Sequence, residues 1–149
     1  MSKTVQWTTD NKVSLYTTEE DVNDKLASIL GDRFVEYRKK WDLVNKFELQ
    51  TDFPLYLQVE LNQICNLRCP MCSITVPEAR EKYINDKHMS WETYQKIILE
   101  AEKYECPSLN PQGVNEPLLD QDLENYIKFA KNHGFIDILM NTNATLLSE

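Results

Sequence analysis

Cys65-Asn66-Leu67-Arg68-Cys69-Pro70-Met71-Cys72 places three thiols within eight residues, spaced Cys-x3-Cys-x2-Cys. Thiolates are soft anionic donors, suited to iron–sulfur clusters and to zinc. Structural zinc sites close a tetrahedron with four ligands, usually from Cys-x2-Cys pairs set far apart. A zinc-binding structural or interaction module would therefore have to recruit His88 or Cys106 as the fourth ligand. A four-iron cubane held at three corners keeps one iron open, as catalytic zinc sites keep a vacant position. The triplet spacing favours the cubane. Cys106, isolated downstream, fits a small buried hydrophobe better than a spare ligand.

Two further segments have types that could contact a charged small molecule. In Gly113-Val114-Asn115-Glu116-Pro117, a flexible turn brings carbonyls and an anionic side chain toward an ammonium group. Read alone, it is also an ordinary turn opening a helix. Asn141-Thr142-Asn143-Ala144-Thr145 is rich in residues that terminate a strand in a turn. His88 lies in a polar loop, where a solvated side chain outweighs a metal or substrate role. His133 suits a helix C-terminus, and Trp7, Trp41 and Trp91 are assigned to packing. Arg68 is read either as tuning cluster charge or as a solvent-facing cation.

The 149 residues suffice for one compact domain with an arm, and the 42% hydrophobic and 27% charged content is that of a globular protein. Twenty-four acidic residues against 16 basic give a net charge of −8, which argues against a general nucleic-acid binder. No apolar run reaches a membrane span, and the N-terminus lacks the apolar core of a secretory signal. Clustered free thiols fit a reducing compartment, so a cytoplasmic location is expected.

Residues 1–17 read as an irregular arm and 18–46 as helical. Val22, Leu26 and Ile29 form one stripe before Gly31, and Phe34, Tyr37 and Trp41 form another. Residues 54–61 alternate as a strand, and Ser90 caps a helix with Trp91, Tyr94, Ile97, Ile98, Ala101 and Tyr104 on its apolar side. A weak strand over 107–111, bounded by prolines, precedes a helix near 122–133 closed by Gly134. A third strand spans 135–140. The alternation predicts an α/β fold, a parallel sheet with right-handed helical crossovers. In such sheets functional loops gather at the carboxyl ends of strands, so the cysteine, Glu116 and Asn143 loops should meet at one edge.

Glu60 to Ile64 followed by Cys-Asn-Leu-Arg-Cys-Pro-Met-Cys closely resembles the signature of radical S-adenosylmethionine enzymes. The resemblance covers residues 54–149 and implies that Cys65, Cys69 and Cys72 hold a [4Fe–4S] cluster. In that family the open iron chelates the amino and carboxylate groups of S-adenosylmethionine. Reductive cleavage then gives a 5′-deoxyadenosyl radical that abstracts hydrogen from substrate. Met71 stands where many members have an aromatic residue near the adenine. Gly113, Asn115 and Glu116 are similar to the Gly-Gly-Glu-Pro stretch at the methionine end, with Val114 and Asn115 at the usual double-glycine positions. Asn141 and Asn143 lie in a stretch resembling the family's Thr-Asn-Gly-Thr-Leu, with Ala144 for its glycine. The resemblance implies the first three βα units of a partial (β/α)6 barrel over 54–149, after an arm and helical region over 1–53. It implies an oxidoreductase or transferase with a small-molecule, sugar or peptide substrate and a reductant such as flavodoxin or ferredoxin. The lead-in resembles a subset that often carries a SPASM domain. With three of six strands, the chain alone is expected to be poorly active or inactive, to associate through an open sheet edge, or to act as a fragment completed by a partner.

Overall fold

The computed structural model describes residues 22–78, 81 and 88–147. The arm, Trp7 and the start of the expected first helix lie outside the described residues. Helix α1 (Val22–Leu30) and helix α2 (Asp32–Asn45) are separated by Gly31, whose φ of +76° lets the chain turn between them. Strand β1 (Tyr56–Gln58) leads into the cysteine loop. Helix α3 (Trp91–Lys103), strand β2 (Ser108–Asn110), helix α4 (Leu123–Asn132) and strand β3 (Asp137–Ile138) follow.

The sheet is parallel with order β1-β2-β3, so β2 is central. The short strand expected between the two prolines is present. Pro107 and Pro111 stand just outside the ladder, where a missing N–H costs nothing, and the Pro107 carbonyl accepts from both Ile136 and Asp137. All three strands are shorter than their apolar patterns. Val59 and Leu139 each add one more bond, to Asn110 and Leu109 respectively, before the chain leaves the sheet.

Leu57, Leu109 and Ile138 belong to the core built with α3 and α4, and Tyr94, Ile98, Ala101, Leu109 and Ala130 are fully buried in it. Leu57 and Leu109 are register partners, as are Leu109 and Ile138, so they share one sheet face. Trp91 and Tyr104 remain partly exposed, so the apolar side of α3 is only partly covered. Cys106 is 2% exposed, its thiol directed to the Ser108 carbonyl at 3.7 Å, and burial pushes its pKa up.

Helix α2 covers the opposite face. Phe34 and Tyr37 are buried, burial pushes the Tyr37 pKa up, and Trp41 meets Tyr56 edge-to-face at 6.2 Å. The stripe expected on α1 is not buried: Val22 and Ile29 are 63% and 68% exposed. Its period is right, but no layer among the described residues covers it.

Ser90 caps α3 as expected, its hydroxyl accepting from the Thr93 amide at 3.2 Å. At the end of α4 the Phe135 amide donates to the Ala130 carbonyl and the Gly134 amide to Lys131, with Gly134 at φ +91°. Helices α2 and α3 end in the same double-bonded cap with Phe47 and Glu105 in the left-handed position, which glycine usually fills.

Candidate functional site

The three loops that leave the carboxyl ends of β1, β2 and β3 meet at one sheet edge, as the strand order requires. The first carries the cysteines. Asn62, 2% exposed, donates to the buried Asp120 carboxylate at 2.7 Å, and its own oxygen accepts from the Ile64 amide at 3.0 Å. That side chain fixes the backbone just before Cys65. Cys69 to Cys72 form a tight turn: the Cys72 amide donates to the Cys69 carbonyl at 3.0 Å, with Pro70 at its second position. The Thr75 hydroxyl lies 2.8 and 2.7 Å from the Cys69 and Cys72 carbonyls. The Cys-x2-Cys spacing thus becomes a turn with its own clasp.

All three cysteines are free, Cys69 exposed and Cys65 and Cys72 half-buried. Among the described residues no three His, Cys, Asp or Glu side chains converge on one point. The thiols share a loop without being drawn around a common centre. Arg68 folds back to donate to the Cys65 and Leu67 carbonyls at 3.1 and 2.8 Å, so its guanidinium braces the loop. Met71 is 87% exposed. Neither proposed fourth zinc ligand joins the loop's thiols: Cys106 lies in the core before β2, and His88 sits 3.6 Å from Asp120. His133 bonds Glu102 at 3.0 Å across α3 and α4, which is a structural role.

The second loop is built around side chains that cross it. The Gly113 amide donates to Asn115 Oδ1 at 2.9 Å, and the Val114 amide to Glu60 Oε1 at 2.7 Å. A Cβ on Gly113 would fall on the Glu60 carboxyl group, so glycine is needed here for space. Gln58 donates to the Gln112 carbonyl at 2.9 Å, and Gln112 Oε1 accepts from the Asn141 amide at 2.6 Å. Asn115 is 5% exposed, and its Nδ2 has no partner.

Glu116 joins all three loops. Its amide donates to the Ile64 carbonyl at 2.8 Å, tying it to the cysteine loop. Its carboxylate accepts from the Leu118 amide at 3.2 Å, the Thr142 hydroxyl at 2.6 Å and the Asn143 amide at 2.7 Å. The residue is 3% exposed. Burial pushes its pKa up, but hydrogen bonds from Asn143, Thr142 and Leu118 outweigh that and hold it below the ordinary glutamate value. Asn143 also reaches Asn66 at 2.8 Å, and Ala144 follows with φ +61°.

The expected residues Cys65, Gly113, Asn115, Glu116, Asn141 and Asn143 are therefore bonded into, or sit beside, one network. Sequence reasoning missed Gln58, Glu60, Asn66, Gln112, Thr142 and Thr145. Their signal was the density of amide, hydroxyl and carboxylate residues flanking the motifs.

No family model matches the chain. It is 26% identical over 145 residues to an S-adenosylmethionine-dependent nucleotide dehydratase from Lacinutrix mariniflava, covering 97% of this chain and 28% of that protein. It is 34% identical over 95 residues to a GTP 3′,8-cyclase from Clostridium botulinum, covering 63% of this chain and 29% of the relative. The solved structure of BtrN in complex with AdoMet and 2-DOIA superposes with a TM-score of 0.58 at 18% identity, over 66% of this chain and 39% of that one. These similarities support the resemblance of the cysteine segment to the signature of radical S-adenosylmethionine enzymes. The chain's three parallel strands and the helices between them match part of the BtrN fold. The chain spans under a third of the length of the curated relatives it matches. Among the described residues no helix is long and apolar enough to cross a membrane.

Proposed function

We propose that Cys65, Cys69 and Cys72 hold a [4Fe–4S] cluster and that the loops around Asn115, Glu116 and Asn143 form the adjoining S-adenosylmethionine site. The observation that carries this reading is the placement of three free thiols on the loop after β1, bonded at Ile64 to Glu116 of the loop after β2.

The donor set fits the cluster. Three thiols with no fourth protein ligand beside them among the described residues suit a cubane with one iron left for an exogenous ligand. The buried Asn115 Nδ2, a donor without a partner, suits an acceptor such as a carboxylate oxygen. Its Oδ1 is already taken by the Gly113 amide. The Glu116 carboxylate is fully engaged with Leu118, Thr142 and Asn143, so its contribution is to hold the loops. When bound, the cluster and cofactor together supply one-electron cleavage of S-adenosylmethionine, leading to hydrogen abstraction from a substrate. Met71, exposed on the turn between Cys69 and Cys72, would offer a flexible apolar side chain to the adenine. An external reductant such as a flavodoxin or ferredoxin and a cytoplasmic setting belong to the same proposal.

The test is anaerobic reconstitution with iron and sulfide, followed by electron paramagnetic resonance of the reduced protein. We expect about four irons per chain, lost in Cys65→Ala, Cys69→Ala and Cys72→Ala, and a spectrum altered by S-adenosylmethionine. One zinc and no sulfide, or a spectrum indifferent to the cofactor, overturns the proposal.

A further inference from the structure

We infer that Asn66 is a positioning residue, clamping the cysteine loop to the loop after β3 through a closed ring of side-chain hydrogen bonds with Asn143 and Thr145. The inference rests on the reading of Cys65, Cys69 and Cys72 as cluster ligands. Asn66 is exposed and lies between the first two of them, where water alone could satisfy its amide. Instead both ends are engaged. Asn66 Oδ1 accepts from Asn143 Nδ2 at 2.8 Å, and Asn66 Nδ2 donates to Thr145 Oγ1 at 2.8 Å. The Thr145 hydroxyl in turn donates to Asn143 Oδ1 at 2.7 Å, and the Thr145 amide donates to the same oxygen at 3.0 Å.

Every donor in the ring faces an acceptor. Flipping the Asn66 amide would set its NH2 against that of Asn143, so the ring fixes its orientation. The ring is anchored from below, because the Asn143 amide donates to the buried Glu116 carboxylate at 2.7 Å. A continuous path of bonds therefore runs from Glu116 through Asn143 to the backbone between Cys65 and Cys69.

The rest of the loop shows why the clamp matters. Before Cys65 the chain is fixed through Asn62 and Ile64, and around Cys69 and Cys72 it is fixed by Thr75. Residues 66–68 are the span between these anchors. Asn66 is the side chain that ties that span to a distant part of the chain, 77 and 79 residues away. Three ligands restrain a loop less than four, so order supplied beforehand reduces the entropy lost on binding the cluster.

The experiment uses the whole chain in two states. In the metal-free state, iodoacetamide alkylation of the half-buried Cys65 is followed by mass spectrometry, with the exposed Cys69 as the internal reference. Asn66→Ala and Thr145→Ala should each raise the rate about fivefold, equivalent to about 1 kcal/mol of loop opening. The double variant should exceed neither single one, and Thr145→Ser, which keeps the hydroxyl, should restore the original rate. In the reconstituted state, Asn66→Ala should shift and broaden the g values of the reduced cluster, while Thr145→Ser should not. Unchanged alkylation in Asn66→Ala and Thr145→Ala, with the fold intact by circular dichroism, overturns the clamp. So do fully additive effects. Failure of the wild-type chain to take up iron and sulfide would instead overturn the ligand assignment, while the alkylation rates still judge the clamp.

Discussion

The two ends of β2 are held by opposite means. Behind and below Leu109 the sheet rests on carbon: Tyr94, Ile98, Ala101 and Ala130 pack with no exposure, and many contacts share the load. Beyond Asn110 the chain is held by directional polar bonds that converge on Glu116, Asn143 and Gln112. Packing is additive and tolerant of small changes; a polar network depends on each donor and acceptor. The core therefore sets whether the domain exists, and the edge network sets where the thiols stand.

The largest effect should come from the packed end. Tyr94 is fully buried, meets Tyr126 edge-to-face at 4.6 Å, and donates its hydroxyl to the Tyr126 carbonyl at 2.8 Å. Tyr94→Ala should cost about 3–5 kcal/mol in urea unfolding followed by tryptophan fluorescence. That is much of the stability of a small domain, so the loops should be lost with it. Tyr94→Phe keeps the ring and should cost only about 1 kcal/mol. Equal, small costs for both substitutions would contradict a core centred on this ring.

Glu116→Ala should cost about 2 kcal/mol, because it leaves Thr142, Asn143 and Leu118 donors without their acceptor. The loss should be local. Hydrogen exchange should quicken at the amides of Leu118 and Asn143 while those of α3 and α4 keep their protection. The charge makes the effect dependent on pH. The folded-state pKa lies below the ordinary value of 4.5, so this stabilisation is fully present above that value. It is lost as pH falls through the lower folded value. Glu116→Gln should remove this acid-sensitive component, and the gap between it and the wild type should narrow as pH falls below the ordinary value of 4.5 and through the lower folded one. A gap that widens on acidification would mean the carboxylate is not held ionised.

What the sequence disclosed divides along the same line. The stripe of Phe34, Tyr37 and Trp41, the Ser90 cap and the Gly134 stop depend on neighbours a few residues away, and they appear as expected. The stripe of α1 misled because periodicity marks an apolar side but not whether anything lies against it. The strands were overextended because pleated propensity continues where ladder partners stop, as at Leu55 and Met140. Glu116 stood out by its motif, yet its partners Thr142 and Asn143 lie 26 and 27 residues on. Pairings of that range have no local code, so the network was legible only as a concentration of polar residues. The prolines around β2 bound a strand as short as they suggest, because neither can donate a backbone N–H to the ladder.

The smallest effect sharpens the contrast from the polar end. Ala144 takes φ +61° in the turn after Asn143, a conformation that costs an alanine about 1–2 kcal/mol. Its amide donates to the Thr142 hydroxyl at 3.1 Å and its carbonyl accepts from the Leu147 amide at 3.2 Å, so the turn is held by bonds on both sides. Ala144→Gly relieves the strain while adding freedom to the unfolded chain worth about 0.4–1 kcal/mol. The net should be a gain of about 0.5 kcal/mol in urea unfolding. Because the packed end is untouched, exchange should slow chiefly around Asn143 and Thr145. A loss of stability in Ala144→Gly would mean that the methyl group itself contributes contacts outweighing its backbone strain.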